Sequence, residues 1–144
     1  MARHDTKIAI QARTDQAISA LLATLPDRPD QRDGAGRAEK TRAAAYEEIG
    51  PDYRAQVEIL AAMRATVPKA LIVGDSTQPI YAGNLYYDHD RPGGWFNAAT
   101  GYGALGYGIP AAIGAGLADP QTPVICIAGD GGAQFSLPEI MAAV

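Results

Sequence analysis

The chain has 144 residues, 47% of them hydrophobic and 19% charged, with a formal net charge of −4 at pH 7. This is enough material for one domain with a core of its own, and the acidic balance argues against a nucleic-acid-binding protein, which needs a basic surface. The single cysteine, Cys126, allows no intrachain disulfide, and the sequence has neither a secretory signal nor an apolar run of membrane-spanning length, so we expect a cytoplasmic protein.

Two apolar patterns indicate regular structure in the first part of the chain. Residues 7–11 alternate between polar and apolar side chains, which predicts a short strand. Apolar residues then repeat at helical spacing, at Ile18, Leu21, Leu22 and Leu25. This spacing predicts an amphipathic helix that Pro26 ends. Residues 26–54 are polar and interrupted by proline and glycine, which predicts a linker.

A second helix and two buried strands are predicted farther along. Apolar residues at helical spacing precede Pro68, at Val57, Leu60, Met63 and Val67. Residues 70–73 and 123–128 are continuous apolar runs, and residues 110–118 between them have the small side chains of a helix packed closely on a sheet. Strands that are apolar throughout are typical of parallel sheets with helical crossovers. We therefore expect an α/β fold, part of a doubly wound parallel sheet with helices on both faces.

Both predicted strands run into the dipeptide Gly-Asp, at Gly74-Asp75 and at Gly129-Asp130. In open parallel sheets, ligands bind beyond the carboxyl ends of the strands. Residues 71–144 also hold 13 of the 16 glycines, and glycine lets a backbone approach a ligand closely. The candidate chemistry therefore lies in the second half of the chain.

Residues 129–133 have the composition of a phosphate-binding turn. The glycines let successive backbone N–H groups point at one anion, and Asp130 can ligate a divalent cation that neutralises a phosphate. The alternative is a tight turn from strand to helix in which Asp130 only caps the helix. Taken alone, the motif favours this plain turn.

Gly101, Gly103 and Gly106 match the G-x-G-x-x-G pattern of dinucleotide-binding proteins. This makes an NAD(P)- or flavin-dependent oxidoreductase with a Rossmann domain an alternative. The pattern requires a buried strand directly before it and an acidic residue about 20 residues later. Residues 93–100 are not predicted as a strand, and Asp130 lies farther on, so the match is weak.

Other residues have weaker chemical interpretations. Asp88, His89 and Asp90 are adjacent, and adjacent residues rarely converge on one metal ion, so we expect a solvated loop. Cys126, in the middle of a strand, is expected to be an inert buried thiol. Packing in a core or interface is expected for the aromatic residues Tyr81, Tyr86, Tyr87, Trp95 and Phe96.

The last residues predict the start of a helix. Ser136 and Glu139 form a capping box, which predicts a helix from residue 137 onward. Only eight residues, 137–144, would belong to it, and isolated helices of this length are marginal. We therefore expect the chain to be cut within a crossover unit.

Two segments, taken in order, resemble a known family. Residues 97–115 (NAATGYGALGYGIPAAIGA) and residues 124–132 (VICIAGDGG) are similar to thiamine diphosphate-dependent enzymes of the acetolactate synthase, benzoylformate decarboxylase and 2-oxo acid decarboxylase type. The resemblance implies that residues 55–144 are the first part of a diphosphate-binding domain. It also implies that residues 1–30 are the end of a central domain and residues 31–54 the linker.

The resemblance assigns cofactor-binding roles to individual residues. Asp130 would ligate Mg²⁺, and the backbone carbonyl of Gly103 would accept a hydrogen bond from the aminopyrimidine ring. Leu105 would hold the two rings of thiamine diphosphate in a V shape, which brings the reacting groups together. The diphosphate end would be lined by Ser76, Thr77, Gln78, Gly131, Gly132 and Ala133.

The same resemblance places the catalytic residue elsewhere. The activating glutamate is expected in an N-terminal domain, and a second Mg²⁺ ligand, an asparagine, beyond Val144. The expected parent enzyme decarboxylates or carboligates a 2-oxo acid as a homodimer or homotetramer, with no nucleic-acid or membrane partner, and this chain alone is expected to be inactive. Besides the oxidoreductase, a non-catalytic fragment or partner-binding module remains an alternative.

Overall fold

The computed structural model describes residues 7–26, 33–89 and 91–143. The chain divides into two units, Met1–Gly34 and Ala35–Val144. Within the described residues, no helix combines the length and the apolar character that crossing a membrane requires.

The first unit contains helix α1 (Thr14–Thr24), which confirms the predicted helix. Its apolar side chains are exposed, so their spacing predicted the helix but not a burial site for it. The predicted strand over residues 7–11 is wrong, because these residues are exposed and irregular. An alternating pattern forms a strand only where a neighbouring strand satisfies its backbone groups.

The second unit contains the sheet and the other helices. The helices are α2 (Gly34–Glu48), α3 (Gly50–Thr66), α4 (Gln78–Tyr86), α5 (Gly108–Ala118) and α6 (Asp130–Gln134). The strands are β1 (Leu71–Gly74), β2 (Trp95–Asn97) and β3 (Val124–Ile127). Two short 3-10 helices span Ala98–Thr100 and Leu137–Ala143.

Helix α2 lies within the predicted linker, so residues 34–48 have regular structure that the sequence did not predict. The role of this segment as a linker stays a prediction. Helix α2 is rich in Ala, Glu, Lys and Arg, which have high helix propensity, and its glycines lie in the first turn. The Nε of Arg54 on α3 donates to the carbonyl of Tyr46 at 2.7 Å. This bond satisfies one of the carbonyls that the end of a helix leaves without a partner.

The three strands form a parallel sheet in the order β2-β1-β3, flanked by helices. In the central strand β1, Ile72 pairs with Trp95 of β2 and with Ile125 of β3. The buried core beside it consists of Leu60, Ile72, Ile80 and Ile127. The predicted α/β architecture is confirmed as an incomplete open sheet, and the predicted helices over residues 57–67 and 110–118 correspond to α3 and α5.

Strand β3 differs from the prediction of burial on both faces. It lies at an edge of the sheet, and Cys126 in its middle is exposed, so the predicted burial of this thiol is wrong. Local desolvation raises the pKa of the Cys126 thiol, and the negative charge of Asp75 adds to the effect. A raised pKa keeps the thiol protonated at neutral pH, in agreement with the expected low reactivity.

Two further local predictions are wrong. Residues 95–97 form strand β2, which the sequence did not predict, because its pairing with β1 rather than a local pattern defines it. The Ser136 hydroxyl is buried and has no hydrogen-bond partner in the described part of the chain, so Ser136 does not form the capping box. Its carbonyl instead accepts the Glu139 N–H at 3.0 Å, in the 3-10 pattern of the following turn.

Candidate functional site

The carboxyl ends of β1 and β3 lie side by side. Gly74 pairs with Ile127, and the next N–H, that of Asp75, donates to the Ile127 carbonyl at 2.8 Å. The loops that follow the two strands therefore begin next to each other, at the carboxyl ends of the strands. A Cβ atom placed on Gly129 would lie 3.8 Å from the Thr77 hydroxyl oxygen. The two loops to which the resemblance assigns the diphosphate thus lie side by side.

The loop after β1 presents hydroxyl and amide groups at this edge. Ser76 and Thr77 are half-buried, and Gln78 begins α4. Thr77 caps α4 through its backbone carbonyl, which accepts the N–H groups of Ile80 at 3.0 Å and Tyr81 at 3.1 Å. The capping is therefore done by the backbone, and the Thr77 hydroxyl lies beside Gly129.

The loop after β3 turns directly into α6. Gly129 occupies the cap position with extended backbone, and its carbonyl accepts the Ala133 N–H at 2.8 Å. Asp130 is therefore not the cap of α6, because it is the first helical residue and is exposed, while the tight turn from strand to helix expected in the alternative is present. A Cβ on Gly131 would meet nothing within 4 Å, so an anion has open space there. The backbone N–H groups of this glycine-rich turn, the exposed Asp130 carboxylate and the open space fit a diphosphate with a bound cation.

A third segment, residues 101–107, adjoins the same turn. Gly106 has a φ of +84°, and a Cβ there would lie 2.7 Å from the Phe135 Cβ and 3.6 Å from the Gly132 carbonyl. Gly103 has a φ of +73° and lines a cavity of about 260 Å³ that also includes Asn97 at the end of β2.

Leu105 belongs to this third segment and is 53% exposed, so its apolar side chain is available to a ligand. Because Gly106 lies close to Phe135 and to the Gly132 carbonyl, residues 101–107 lie beside the turn that contains Gly132. The individual roles assigned by resemblance to Gly103, Leu105, Ala133 and the loop residues stay predictions.

The dinucleotide-binding alternative lacks its structural context. That motif needs a strand running into the first glycine and a helix opening at the glycines. Here β2 ends at Asn97, a 3-10 turn intervenes before Gly101, and α5 begins at Gly108, after the third glycine. The glycines instead shape an irregular loop.

Sequence reasoning missed Asp75 as a residue of this site. Its side chain is only 1% exposed. Its Oδ1 accepts the Ser76 N–H at 2.7 Å, and its Oδ2 accepts the N–H of Gly108, the first residue of α5, at 3.0 Å. An acidic residue directly after a buried strand was the available indication, but the sequence does not show that α5 starts against it.

The expected solvated loop and aromatic packing are found in part. Asp88 forms an ion pair with Arg42, and Asp90 lies outside the described residues. The described ranges contain no group of three or more His, Cys, Asp or Glu side chains placed to hold a metal. Tyr87 and Trp95 pack against the core with ring centroids 5.0 Å apart.

The chain is similar to known proteins of one family over most of its length. Residues 73–144 match the family model described as "Thiamine pyrophosphate enzyme, C-terminal TPP binding domain". A probable 2-ketoarginine decarboxylase of Pseudomonas aeruginosa is 34% identical over 97% of this chain and 25% of its own length. The large subunit of acetolactate synthase isozyme 3 of Escherichia coli is 33% identical over 69% of this chain and 17% of its own length.

The chain thus spans a quarter or less of these relatives' length. No solved structure matches it significantly.

Proposed function

Because the chain belongs to the thiamine pyrophosphate enzymes, through their C-terminal TPP-binding domain, we propose that it binds thiamine diphosphate with Mg²⁺ where β1 and β3 end. The parent enzyme would decarboxylate or carboligate a 2-oxo acid. One observation carries the proposal: the Thr77 hydroxyl oxygen lies 3.8 Å from the position of a Cβ on Gly129, within the matched segment.

The diphosphate is held by groups from both loops. The hydroxyls of Ser76 and Thr77 and the amide of Gln78 donate from the β1 side. On the β3 side, the absence of side chains at Gly131 and Gly132 lets phosphate oxygens approach the backbone N–H groups. Helix α6 has only five residues, so this binding rests on the turn itself rather than on a helix dipole.

Mg²⁺ is held by the Asp130 carboxylate. This side chain is exposed beside the open space at Gly131. Magnesium in proteins is commonly bound by one or two carboxylates together with phosphate oxygens and waters. Asp130 therefore supplies one protein ligand, and the second, an asparagine, is proposed to lie beyond Val144.

The organic part of the cofactor lies against residues 101–107. Bound thiamine diphosphate supplies a nucleophilic carbon and an electron sink for reactions of 2-oxo acids. The Gly103 carbonyl would accept a hydrogen bond from the aminopyrimidine, and Leu105 would support the rings of the cofactor. The position of Gly103 on the 260 Å³ cavity and the exposure of Leu105 support these roles.

The substrate class comes from the relatives. Their names describe a decarboxylase and acetolactate synthases, which supports a reaction of 2-oxo acids. The activating glutamate is proposed to come from an N-terminal domain and the parent enzyme to be a homodimer or homotetramer. Because the activating glutamate and the second Mg²⁺ ligand are both proposed to come from other parts of the parent enzyme, we propose that the 144 residues alone are inactive and bind the cofactor weakly.

The binding test is an NMR titration of the chain with thiamine diphosphate, with and without Mg²⁺. We expect Mg²⁺-dependent shift changes at residues 76–78, 103–105 and 129–133. Asp130→Ala removes the Mg²⁺ dependence, whereas Asp119→Ala, an exposed acid at the far end of α5, leaves it intact. Equal changes with unphosphorylated thiamine, or changes confined to residues 101–106 with NAD⁺, contradict the proposal. Tight binding by calorimetry would contradict only the expected weakness of the isolated chain.

Catalysis is tested in a chimera. This chain replaces the matching segment of the Pseudomonas relative, and CO₂ release from 2-oxo acids is measured. We expect activity that Asp130→Ala abolishes and Asp119→Ala retains. An inactive but folded chimera supports instead a non-catalytic or partner-binding module.

A further inference from the structure

Asp75 is the point at which three segments around the proposed site meet. It directly follows β1 and is buried. Its two carboxylate oxygens accept one backbone N–H each, from Ser76 and from Gly108. One side chain thus joins the loop after β1 to the start of α5.

The third segment, the turn after β3, packs on the same carboxylate. A Cβ on Gly132 would lie 3.3 Å from the Asp75 carboxyl carbon and 3.4 and 3.5 Å from its two oxygens. A Cβ on Gly108 would lie 3.1 Å from the Asp75 Cβ and 3.2 Å from its backbone nitrogen. Glycine at both positions permits this close packing, so the carboxylate acts as a spacer between the segments.

Burying a carboxylate is unfavourable unless hydrogen bonds satisfy it. If residue 75 only filled space in the core, an apolar side chain would do so equally well. The N–H groups bound by Asp75 belong to Ser76, in the proposed diphosphate loop, and to Gly108, which follows residues 101–107. The carboxylate therefore fixes the backbone of both segments.

We propose that Asp75 is a positioning residue, which sets the spacing between residues 76–78 and residues 129–133 and thereby prepares the diphosphate site. The proposal rests on the proposed function for the identity of the ligand. It assigns Asp75 no contact with the cofactor. Its effect passes through the backbone of Ser76 and through the packing of Gly132.

The test compares Asp75→Asn with Asp119→Asn in the 144-residue chain. Asparagine preserves the shape of Asp75 but replaces one acceptor by a donor. Asp119 is a matched control, because it also accepts a backbone N–H, that of Gln121 at 3.3 Å, but at the opposite end of α5. The readouts are amide hydrogen exchange and titration with Mg²⁺ and thiamine diphosphate.

In Asp75→Asn we expect exchange at the hydrogen-bonded amides of Ser76, Gly108 and Ala133 to rise about tenfold to hundredfold, the size expected for an unmade buried hydrogen bond. Exchange of the Val67 amide, which bonds Met63 on α3, stays unchanged. Cofactor affinity falls at least about tenfold, as for other mutations of groups that orient a ligand shell. Asp119→Asn changes neither quantity.

A second variant tests the proposal even if Asp75→Asn does not fold. Gly108→Ala keeps the carboxylate but requires Asp75 and the start of α5 to move apart by a few tenths of an ångström, because the added Cβ would lie 3.1 Å from the Asp75 Cβ and 3.2 Å from its nitrogen. It should raise exchange at the same amides and weaken binding in the same direction.

The outcomes separate the two proposals. If the unsubstituted chain binds the cofactor and both variants bind equally well, Asp75 is no positioning residue, while the proposed function stands. If the unsubstituted chain shows no Mg²⁺-dependent binding, the proposed function fails, and hydrogen exchange of the Ala133 amide, which bonds the Gly129 carbonyl, decides the role of Asp75. Loosening confined to Gly108 in the variants overturns the proposal.

Discussion

The ends of β1 and β3 have the same dipeptide, Gly-Asp, in opposite environments. Asp75 after β1 is buried and bound by two backbone N–H groups, whereas Asp130 after β3 is exposed beside open space. The same dipeptide thus has a buried aspartate after the central strand and an exposed aspartate after the edge strand. The covered aspartate therefore supports the structure, whereas the exposed one is available to a ligand.

The largest expected difference lies in the strands themselves. Ile72→Ala in β1 removes a fully buried side chain and should lower the free energy of unfolding by about 2–5 kcal/mol. Cys126→Ala in β3 removes an exposed side chain and should change it by less than about 0.5 kcal/mol. Urea denaturation followed by circular dichroism measures both, and equal losses would show that β3 is covered as β1 is.

The two aspartates come next. Asp75→Ala leaves the buried N–H group of Gly108 and the half-buried N–H group of Ser76 without an acceptor, and should destabilise the chain by about 1–3 kcal/mol or more. Asp130→Ala should leave the free energy of unfolding within about 0.5 kcal/mol and remove Mg²⁺-dependent cofactor binding. A strong loss of stability in Asp130→Ala would indicate that this side chain is structural instead.

Adjacent glycines provide a finer comparison. Alanine at Gly131 meets nothing, so it should stabilise α6 by about 0.5–1 kcal/mol through reduced backbone entropy. Alanine at Gly132 meets the Asp75 carboxylate and should be about 1 kcal/mol or more less stable than Gly131→Ala, because it overpacks the contact. Thermal unfolding of the two variants measures the difference in stability. Equal melting temperatures would show that the Asp75 carboxylate is not a spacer against Gly132.

The smallest effect concerns Cys126. Because the Asp75 charge adds to the raised pKa of this thiol, Asp75→Asn should lower the thiol pKa. The pH profile of reaction with a disulfide reagent would then move to lower pH, while the larger desolvation effect remains. Asp119→Asn should leave the profile in place, and no movement in Asp75→Asn would show that the charge does not reach the thiol.

The strongest local patterns predicted their elements correctly. The apolar runs became β1 and β3, and the helical spacings became α1 and α3, because side-chain periodicity is a property of the chain itself. Local patterns failed where a partner decides the outcome. Residues 7–11 pair with no strand among the residues that the structure describes, and residues 95–97 became β2 by pairing with β1.

By itself, the sequence determined the parallel α/β class and placed the candidate site after two Gly-Asp strand ends. The tertiary structure alone decided which of those aspartates is buried, that α5 begins against Asp75, and that Gly132 packs on the same carboxylate. The physical reason is that burial of a side chain depends on which segments pack against it, and these segments can be distant in the sequence. For Asp75, one such segment is a helix start more than thirty residues away in the chain.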